Sequence, residues 1–326
     1  MRIAIVGATG AVGREMLAVL ERSRLPKDDV VALASPRSAG QPLPFAGRTL
    51  TVEALVPGSF RGVKVALVSA GSAVSEKIAD EAVKAGAVMI DNSSFFRMRP
   101  DVPLVVPEVN AHALAGHKGL IANPNCSTAI MVLALAPLAR EYGLESVVVS
   151  TYQAVSGAGW AAIEELKAQQ ANPASLPKVF PHPIADNLIP FIDKLLDGGH
   201  SREELKLLHE SRKILELPSL MVRATCVRVP VMRAHSEAVS VTTTRPIDVA
   251  AARALFARSP GLVVQDDPAR HDYPMPKMTS GKDPVGIGRI RQAEGQPRTL
   301  DFWLCGDQLL KGAALNAVQI AERLFA

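Results

Sequence analysis

Few cysteines occur in this sequence, and their spacing excludes two common uses. Cys126, Cys226 and Cys305 are the three, far apart and without a C-x-x-C pair. A disulfide framework or a zinc site needs several cysteines or histidines at short spacings. Neither is therefore expected, and no metal cofactor is predicted.

The excess of positive over negative charge is also small. The formal net charge is +4 over 326 residues, and Lys and Arg are scattered along the chain. Nucleic-acid binding would need these cations clustered, so it is not expected. A small anionic ligand is compatible with this composition, because it needs only a few cations in one cleft.

The uncharged stretch at residues 119–139 raises the question of a membrane segment. Asn-Pro-Asn near its start and Pro137 near its end leave about a dozen helical residues, fewer than the ~20 that a bilayer span needs. We therefore predict a buried helix. The first residues form a strand pattern without a signal-peptide layout, so a cytoplasmic protein without membrane association is expected.

The stretch RIAIVGATGAVGREML joins an apolar strand pattern, a glycine turn and a helix pattern. Gly7, Gly10 and Gly13 permit a tight turn and close backbone approach, and the helix N-terminus offers free N–H groups to a pyrophosphate. A dinucleotide site is therefore predicted here. A glycine-rich turn without a ligand is the alternative.

The end of the next strand pattern, Ser35-Pro-Arg37-Ser38, indicates which dinucleotide binds. An acidic residue here would bind the ribose hydroxyls of NAD, whereas a guanidinium and hydroxyls favour the 2′-phosphate of NADP. Two more strand patterns end at residues 69–72 and 91–94, with a helix pattern between them. This alternation predicts a parallel, doubly wound sheet with both segments lining the cofactor cleft.

Cys126 lies where the polar segment NPN gives way to a strong helix pattern. A thiol at a helix N-terminus is activated by the helix dipole, which favours the thiolate. Cys226 and Cys305 lie in strand-like runs, without a polar segment such as NPN in front of them, and are interpreted as structural. An inert, buried Cys126 is the alternative.

Partners for a reactive thiol occur in the second half. Gln153 ends an alternating strand pattern, and Ser156 and Gly157 follow in a flexible turn. Arg228 and His235 would point to opposite faces of one continuous strand, but Pro230 is expected to break it and allow both to face one site. His235 is the candidate base near neutral pH. Glu210 and Lys213 share a helix face, although their spacing alone favours a surface ion pair.

Taken together, these segments resemble the aspartate-β-semialdehyde dehydrogenases nearly end to end. The resemblance is carried by GATGAVG, SPRSAG, AVMIDNSSFFRM, PLVVPEVN, NPNCST, STYQAVSGAG, HESRKIL, CVRVPVMRAHSEAV and KGAALNAVQIAE. Members of that family are oxidoreductases that reduce L-4-aspartyl phosphate to L-aspartate 4-semialdehyde with NADPH, on the route to lysine, methionine and threonine. The resemblance implies the same reversible reaction here.

The resemblance also implies a role for individual residues. Cys126 would be the nucleophile that forms an acyl-thioester, His235 the acid/base, and Gln153 a support for the thiol and substrate. Arg228 would bind the substrate's α-carboxylate and Glu210 its ammonium group. The phosphate contacts would be Arg97, Asn125 and Lys213. The NADP contacts would be Gly7, Thr9, Gly10, Ala11, Val12, Gly13, Arg37, Ser38, Ser156, Gly157 and Asn316.

The expected architecture is α/β with two domains, since 326 residues exceed the ~100–200 of one domain. A Rossmann-like NADP-binding domain is predicted over residues 1–125, joined by a C-terminal helix over residues 306–326. An α+β catalytic and dimerisation domain is predicted over residues 126–305. By the resemblance, the assembly is a homodimer, with a homotetramer as the alternative.

Alternative functions differ in what they require. N-acetyl-glutamyl-phosphate reductase works on the same plan, but an acetylated amine has no use for a carboxylate such as Glu210. A non-catalytic NADP-binding paralogue would lose the thiol or the base, and a cysteine hydrolase has no need of the dinucleotide turn. The sequence departs from the family at Pro183 and Asp186, where a Gln and an apolar residue are expected, and these departures concern packing or the subunit contact.

Overall fold

The computed structural model describes residues 1–326. Its strands are β1 Arg2–Val6, β2 Val30–Ala34, β3 Pro42–Phe45, β4 Arg48–Thr51, β5 Glu53–Ala54, β6 Val63–Val68, β7 Val88–Asp91, β8 Leu120–Ala122, β9 Ser146–Gln153, β10 Met221–Arg228, β11 His235–Thr242, β12 Leu262–Val264, β13 Val285–Gln292 and β14 Thr299–Gly306. Its α-helices are α1 Ala11–Glu21, α2 Ser72–Lys84, α3 Pro107–Asn110, α4 Cys126–Tyr142, α5 Trp160–Ala171, α6 Arg202–Leu215, α7 Val249–Ala257, α8 Pro276–Thr279 and α9 Leu315–Phe325.

The chain forms two compact units, one of residues 1–125 with 313–326 and one of residues 126–312. Residues 306–312, which we expected to open the terminal helix, lie in the second unit. The reason is local: β14 continues to Gly306, and the buried Asp307 carboxylate then accepts the N–H of Leu309 at 3.0 Å. A π-helical turn at Leu310–Ala314 precedes α9.

The first unit contains the predicted parallel, doubly wound sheet. Its strand order is β5-β2-β1-β6-β7-β8, and every pair is parallel. The strands are almost entirely buried because α-helices cover the sheet, as parallel sheets require. The order reverses between β1 and β6, which is where such sheets bind ligands at the carboxyl ends of their strands.

Glycines are sterically required where β1 turns into α1. Gly7 has φ +83, and a Cβ there would lie 2.3 Å from the Ser69 carbonyl oxygen. A Cβ on Gly13 would lie 2.2 Å from the Gly7 carbonyl oxygen and 2.8 Å from the Ala8 Cα. The turn therefore closes only because both positions lack a side chain.

The second unit is built on a mixed six-stranded sheet of order β10-β9-β11-β14-β13-β12. Alternate residues of β9, from Val147 to Gln153, are buried, so Gln153 lies on the covered face as its alternation predicts. Helix α4 is buried from Ser127 to Leu138. It runs 17 residues, longer than expected, because Pro137 lies within the helix instead of ending it. None of the helices is both long enough and apolar enough to span a membrane.

An irregular segment joins α5 to α6 and is held by two buried side chains. The Glu165 carboxylate accepts the N–H of Lys178 at 2.6 Å, and the Gln169 amide oxygen accepts that of Ile184 at 2.8 Å. The departures at Pro183 and Asp186 lie on this segment and are exposed. Asp186 has φ 54, a left-handed conformation that Asp adopts more readily than an apolar residue does.

The glycine turn yields a stability prediction. Gly13→Ala should lower the free energy of unfolding by about 2 kcal/mol, because the added methyl overlaps backbone atoms that cannot move aside. Chemical denaturation of the full chain measures this. Gly116→Ala is the matched control, since a Cβ there meets nothing within 4 Å. Equal stability of the two variants would contradict the steric interpretation.

Candidate active site

Cys126 is the first residue of α4 and is half-buried. Its thiol lies at the positive end of a long helix, where the dipole favours a thiolate. The neighbouring backbone is close: a Cβ on Gly312 would lie 2.8 Å from the Cys126 Cβ. The Cα and Cβ of Cys126 are therefore closely packed against the backbone at Gly312.

The backbone of one residue, Ala154, contacts the other two principal candidates. The Ala154 carbonyl accepts the Arg228 Nη1–H at 2.7 Å, and the Ala154 N–H donates to His235 Nδ1 at 3.0 Å. A Cβ on Gly157 would lie 3.0 Å from Arg228 Nη1 and 3.2 Å from His235 Nε2. The strand break predicted at Pro230 is present, since β10 ends at Arg228 and β11 begins at His235. The break brings both side chains to one place.

The protonation state of His235 follows from its surroundings. The ring is fully buried, and burial followed by the charge of Arg228 holds the pKa of His235 well below its usual range. A backbone N–H can only donate, so Nδ1 carries the lone pair and the neutral ring carries its proton on Nε2. Nε2 is buried and has no partner within the chain. His235 therefore presents one unused N–H donor.

Arg228 is a buried cation with unused donors. Burial lowers the pKa of Arg228, while Cys126 and Glu203 act in the opposite direction. Its Nε is buried without a hydrogen-bond partner, and its guanidinium stacks 5.8 Å from the centre of the Phe180 ring. An unpartnered buried donor is costly, which indicates a site made for an anion.

Gln153 is the cross-strand partner of Arg228 and is almost fully buried. Its Nε2 donates to Glu203 Oε1 at 3.2 Å and to Thr151 Oγ1 at 3.3 Å. Glu203 in turn accepts from Lys206 Nζ at 2.9 Å. The amide is therefore held by neighbours on both β9 and α6.

The remaining candidates of the second unit differ in burial. Glu210 is 1% exposed, so the prediction from spacing alone that it lies on the surface is wrong. Lys213 is half-buried one turn further along α6. Ser156 is buried, and its hydroxyl accepts from Gln308 Nε2. Gln308 Oε1 also accepts the Ala234 N–H at 2.8 Å, which fixes the residue before His235.

In the first unit, a cavity of about 680 Å³ opens beside the glycine turn. Its lining includes Gly7 and Gly10 of the turn and the polar or charged residues Thr9, Ser35, Ser69, Lys77 and Glu81. No side chain caps the first turn of α1, whose residues include Ala11, Val12 and Gly13, so its N–H groups are available to a pyrophosphate. Arg37 and Ser38 follow Ser35 in an exposed turn. The cradle fits a dinucleotide.

Several predicted residues of this unit are engaged in its own structure. Arg97 is buried and donates to the carbonyls of Asn123 at 2.9 Å and Asn92 at 2.7 Å. Asn316 Nδ2 donates to Asn123 Oδ1 at 2.6 Å. Asp91 does not line the cavity as expected, because its carboxylate is buried and accepts from Ser75 and Ser93.

The other two cysteines are inert. Burial raises the pKa of the Cys226 and Cys305 thiols, so both stay protonated. This leaves Cys126 as the one cysteine with a helix terminus and an exposed side.

Sequence reasoning missed three buried polar residues around the site: Glu203, Gln308 and Glu237. A signal existed for Glu203, which lies seven residues before Glu210 and therefore on the same face of α6. Gln308 follows a strand end without a pattern that marks it. Glu237 alternates with His235 on β11, but alternation predicts only burial.

Family models match both parts of the chain. Residues 2–117 match the semialdehyde dehydrogenase NAD binding domain, and residues 135–311 match the semialdehyde dehydrogenase dimerisation domain. The aspartate-semialdehyde dehydrogenases of Aquifex aeolicus and Bacillus subtilis are 50% and 48% identical to it, over 99% of this chain and 97% of each relative. The chain belongs to the aspartate-semialdehyde dehydrogenase family.

Solved structures agree with this assignment. Aspartate semialdehyde dehydrogenase II of Vibrio cholerae, complexed with ASA, is 43% identical, with a TM-score of 0.96 over 99% of this chain and 97% of that one. The Candida albicans enzyme with NADP is 27% identical, with a TM-score of 0.77 over 99% and 98%. The predicted family, α/β fold and oxidoreductase class are therefore confirmed.

This aspartate-semialdehyde dehydrogenase family member carries one unusual buried group, Glu237. It is fully buried, neither carboxyl oxygen has a hydrogen-bond partner, and burial raises the pKa of Glu237 well above its usual range. The folded state thus binds a proton that the unfolded state releases above pH ~4.3. The stabilisation from this proton is complete below that pH and is lost as pH rises toward the folded-state pKa.

Glu237→Gln should therefore become more stable relative to the native chain as pH rises, by about 1.4 kcal/mol per pH unit within that window. Urea denaturation of both chains between pH 5 and pH 8 measures the difference. Glu164→Gln, at an exposed glutamate, should show no such slope. A stability difference for Glu237→Gln that does not change with pH would mean that the buried carboxyl does not hold its proton.

Proposed function

We propose that this chain catalyses the reversible, NADPH-dependent reductive dephosphorylation of L-4-aspartyl phosphate to L-aspartate 4-semialdehyde, through a thioester on Cys126. The observation that carries this is the convergence of two unpartnered buried donors, Arg228 Nε and His235 Nε2, in the unit that holds the thiol at its helix terminus. Buried donors without partners are rare unless a ligand satisfies them.

The proposed chemistry assigns each step to a residue. The Cys126 thiolate attacks the acyl carbon, a C–S bond forms, the C–O bond to phosphate breaks, and inorganic phosphate leaves. NADPH, when bound, supplies the hydride that reduces the thioester. His235 Nε2–H would stabilise the negative charge that develops on the thioester oxygen, and collapse of the thiohemiacetal would release the aldehyde and the thiolate.

Substrate recognition is proposed on charge and burial. Arg228 would bind the α-carboxylate, because its Nε–H is unused and its position is fixed by Ala154. The buried Glu210 would bind the α-ammonium group. An acetylated amine would leave this carboxylate without a cation, which argues against N-acetyl-glutamyl phosphate as the substrate. Arg97, Asn125 and Lys213 stay predicted phosphate contacts.

The cofactor contacts follow from the first unit. Gly7, Thr9, Gly10, Ala11, Val12 and Gly13 surround an open helix N-terminus that suits the pyrophosphate, and Arg37 with Ser38 suits the 2′-phosphate of NADP. Ser156, Gly157 and Asn316 stay predicted contacts. A homodimer in the cytoplasm is part of the proposal, supported by the match to a dimerisation domain.

The proposed route predicts the behaviour of Cys126→Ala. With aspartate semialdehyde and NADP, the native chain should form NADPH only when phosphate is present, and the variant should lose at least about 10³-fold in rate because no thioester can form. Absorbance of NADPH measures both. Cys226→Ala is the matched control and should retain activity, because that thiol is buried away from solvent.

Other outcomes would change the assignment. Turnover that survives Cys126→Ala would mean that the nucleophile is another residue. A native chain that binds NADP but shows no turnover would favour a non-catalytic paralogue. Turnover with the acetylated five-carbon substrate instead would transfer the assignment to N-acetyl-glutamyl-phosphate reductase.

The choice of cofactor gives a separate prediction. Arg37→Ala should raise the KM for NADP about tenfold, because a charge-assisted hydrogen bond to the 2′-phosphate is lost, and should change the KM for NAD less than about twofold. Steady-state kinetics with each cofactor measures both constants. Lys84→Ala, at an exposed cation at the C-terminal end of α2, should change neither. Equal changes for NADP and NAD would exclude a 2′-phosphate contact.

A further inference from the structure

The orientation of the Gln153 amide is set by chemistry. An ionised carboxylate has acceptors only, so the atom of Gln153 that faces Glu203 must be the nitrogen. The same nitrogen donates to Thr151, which uses its second N–H. The carbonyl oxygen is consequently the polar atom of Gln153 that is left for the thiol or the substrate.

Glu203 is held in place and kept charged by several neighbours. It lies in the first turn of α6, where a capping box formed by Ser201 and Glu204 closes the helix and the dipole favours a carboxylate. Lys206 donates to it at 2.9 Å and to Asp193 at 2.8 Å. Burial disfavours the ammonium, but Glu203 and Asp193 outweigh burial and raise the pKa of Lys206.

We propose that Glu203 is a positioning residue that fixes the Gln153 amide with its carbonyl oxygen toward the reacting centre. This orientation makes Gln153 an acceptor for the thiol S–H or for a substrate N–H, an assignment that rests on the proposed function. It also leaves stabilisation of the thioester oxygen to donors such as His235 Nε2–H. The Asp193–Lys206–Glu203 chain thereby connects the segment before α6 to the catalytic residues.

A purely structural role for Glu203 would predict different behaviour. The charged and titratable groups around it are Lys206 and Asp193, then Arg228, Cys226 and Glu204 on the adjoining strand and helix. If Glu203 only stabilised α6, its loss would change kcat by the same factor whether or not residue 153 carries an amide. If it orients the amide, its loss should matter only when the amide is present.

A double-mutant cycle separates these roles. Glu203→Gln gives Gln153 a neighbour that can donate or accept, so the amide can reverse, and kcat should fall about 10- to 100-fold with an unchanged KM for NADP. In a Gln153→Met background, which lacks the amide, Glu203→Gln should change kcat less than about threefold. Glu164→Gln, which breaks an exposed pair of the same i,i+3 spacing to Lys167, is the matched control and should leave kcat unchanged.

The second readout does not need turnover. A reversed amide can donate to the Cys126 thiolate, so Glu203→Gln should move the midpoint of iodoacetamide alkylation of Cys126 to lower pH by about half a unit or more. Removal of the Glu203 charge also lowers this midpoint, but the same substitution in the Gln153→Met background measures that part alone.

The proposal is supported if Glu203→Gln changes kcat and the alkylation midpoint of Cys126 more in the native background than in the Gln153→Met background. Equal shifts in both backgrounds, or no shift in either, would overturn it. If the native chain shows no phosphate-dependent turnover, the proposed function fails, and the alkylation cycle still decides whether Glu203 orients Gln153.

Discussion

The backbone of Ala154 is the element on which the catalytic unit depends. Its carbonyl accepts from Arg228 and its N–H donates to His235, so the two peptide groups that meet at one Cα hold a cation and a neutral imidazole close together. Both side chains come from strand ends that flank β9, the strand that Ala154 follows. The same two side chains explain the glycine at position 157, because a Cβ there would lie 3.0 Å from Arg228 Nη1 and 3.2 Å from His235 Nε2.

Two buried glutamates of this unit differ in whether a cation neutralises them. Glu203 and Glu237 show the contrast, because both are buried glutamates of the second unit. Glu203 lies at a helix N-terminus beside Lys206 and can remain ionised, whereas Glu237 lies mid-strand without a partner and keeps its proton. The same residue type thus supplies an acceptor in one place and a neutral group in the other.

Much of the fold could be predicted from the sequence because its signals are local. The glycine turn, the alternation of β9 and the break at Pro230 each depend on backbone sterics within a few residues, and all three appear in the structure. The extent of α4 could not be judged from Pro137, because a proline late in a buried helix costs one hydrogen bond that packing outweighs. The start of α9 was predicted too early, because β14 continues to Gly306 and a π-helical turn at Leu310–Ala314 precedes the α-helix.

The residues that hold the candidate catalytic side chains in place were harder to predict than those side chains themselves. Cys126, Gln153, Arg228 and His235 are marked by strand and helix ends, so pattern alone places them near the edge of a sheet. Glu203 and Gln308 act on those residues through hydrogen bonds between segments distant in sequence, with Gln308 joining Ser156 across 152 positions. No periodicity encodes such a contact, because it depends on how α6 and β14 pack on the sheet.

Taken as chemistry, the site divides its hydrogen-bonding roles by the partners that each side chain already has. The Ala154 N–H occupies the acceptor nitrogen of His235, so the ring can offer only a donor. Glu203 occupies the donor nitrogen of Gln153, so the amide can offer only an acceptor. A thiol that must lose a proton and a carbonyl that must gain negative charge need these opposite neighbours. The surrounding polar groups, more than the catalytic side chains themselves, therefore decide what each one does.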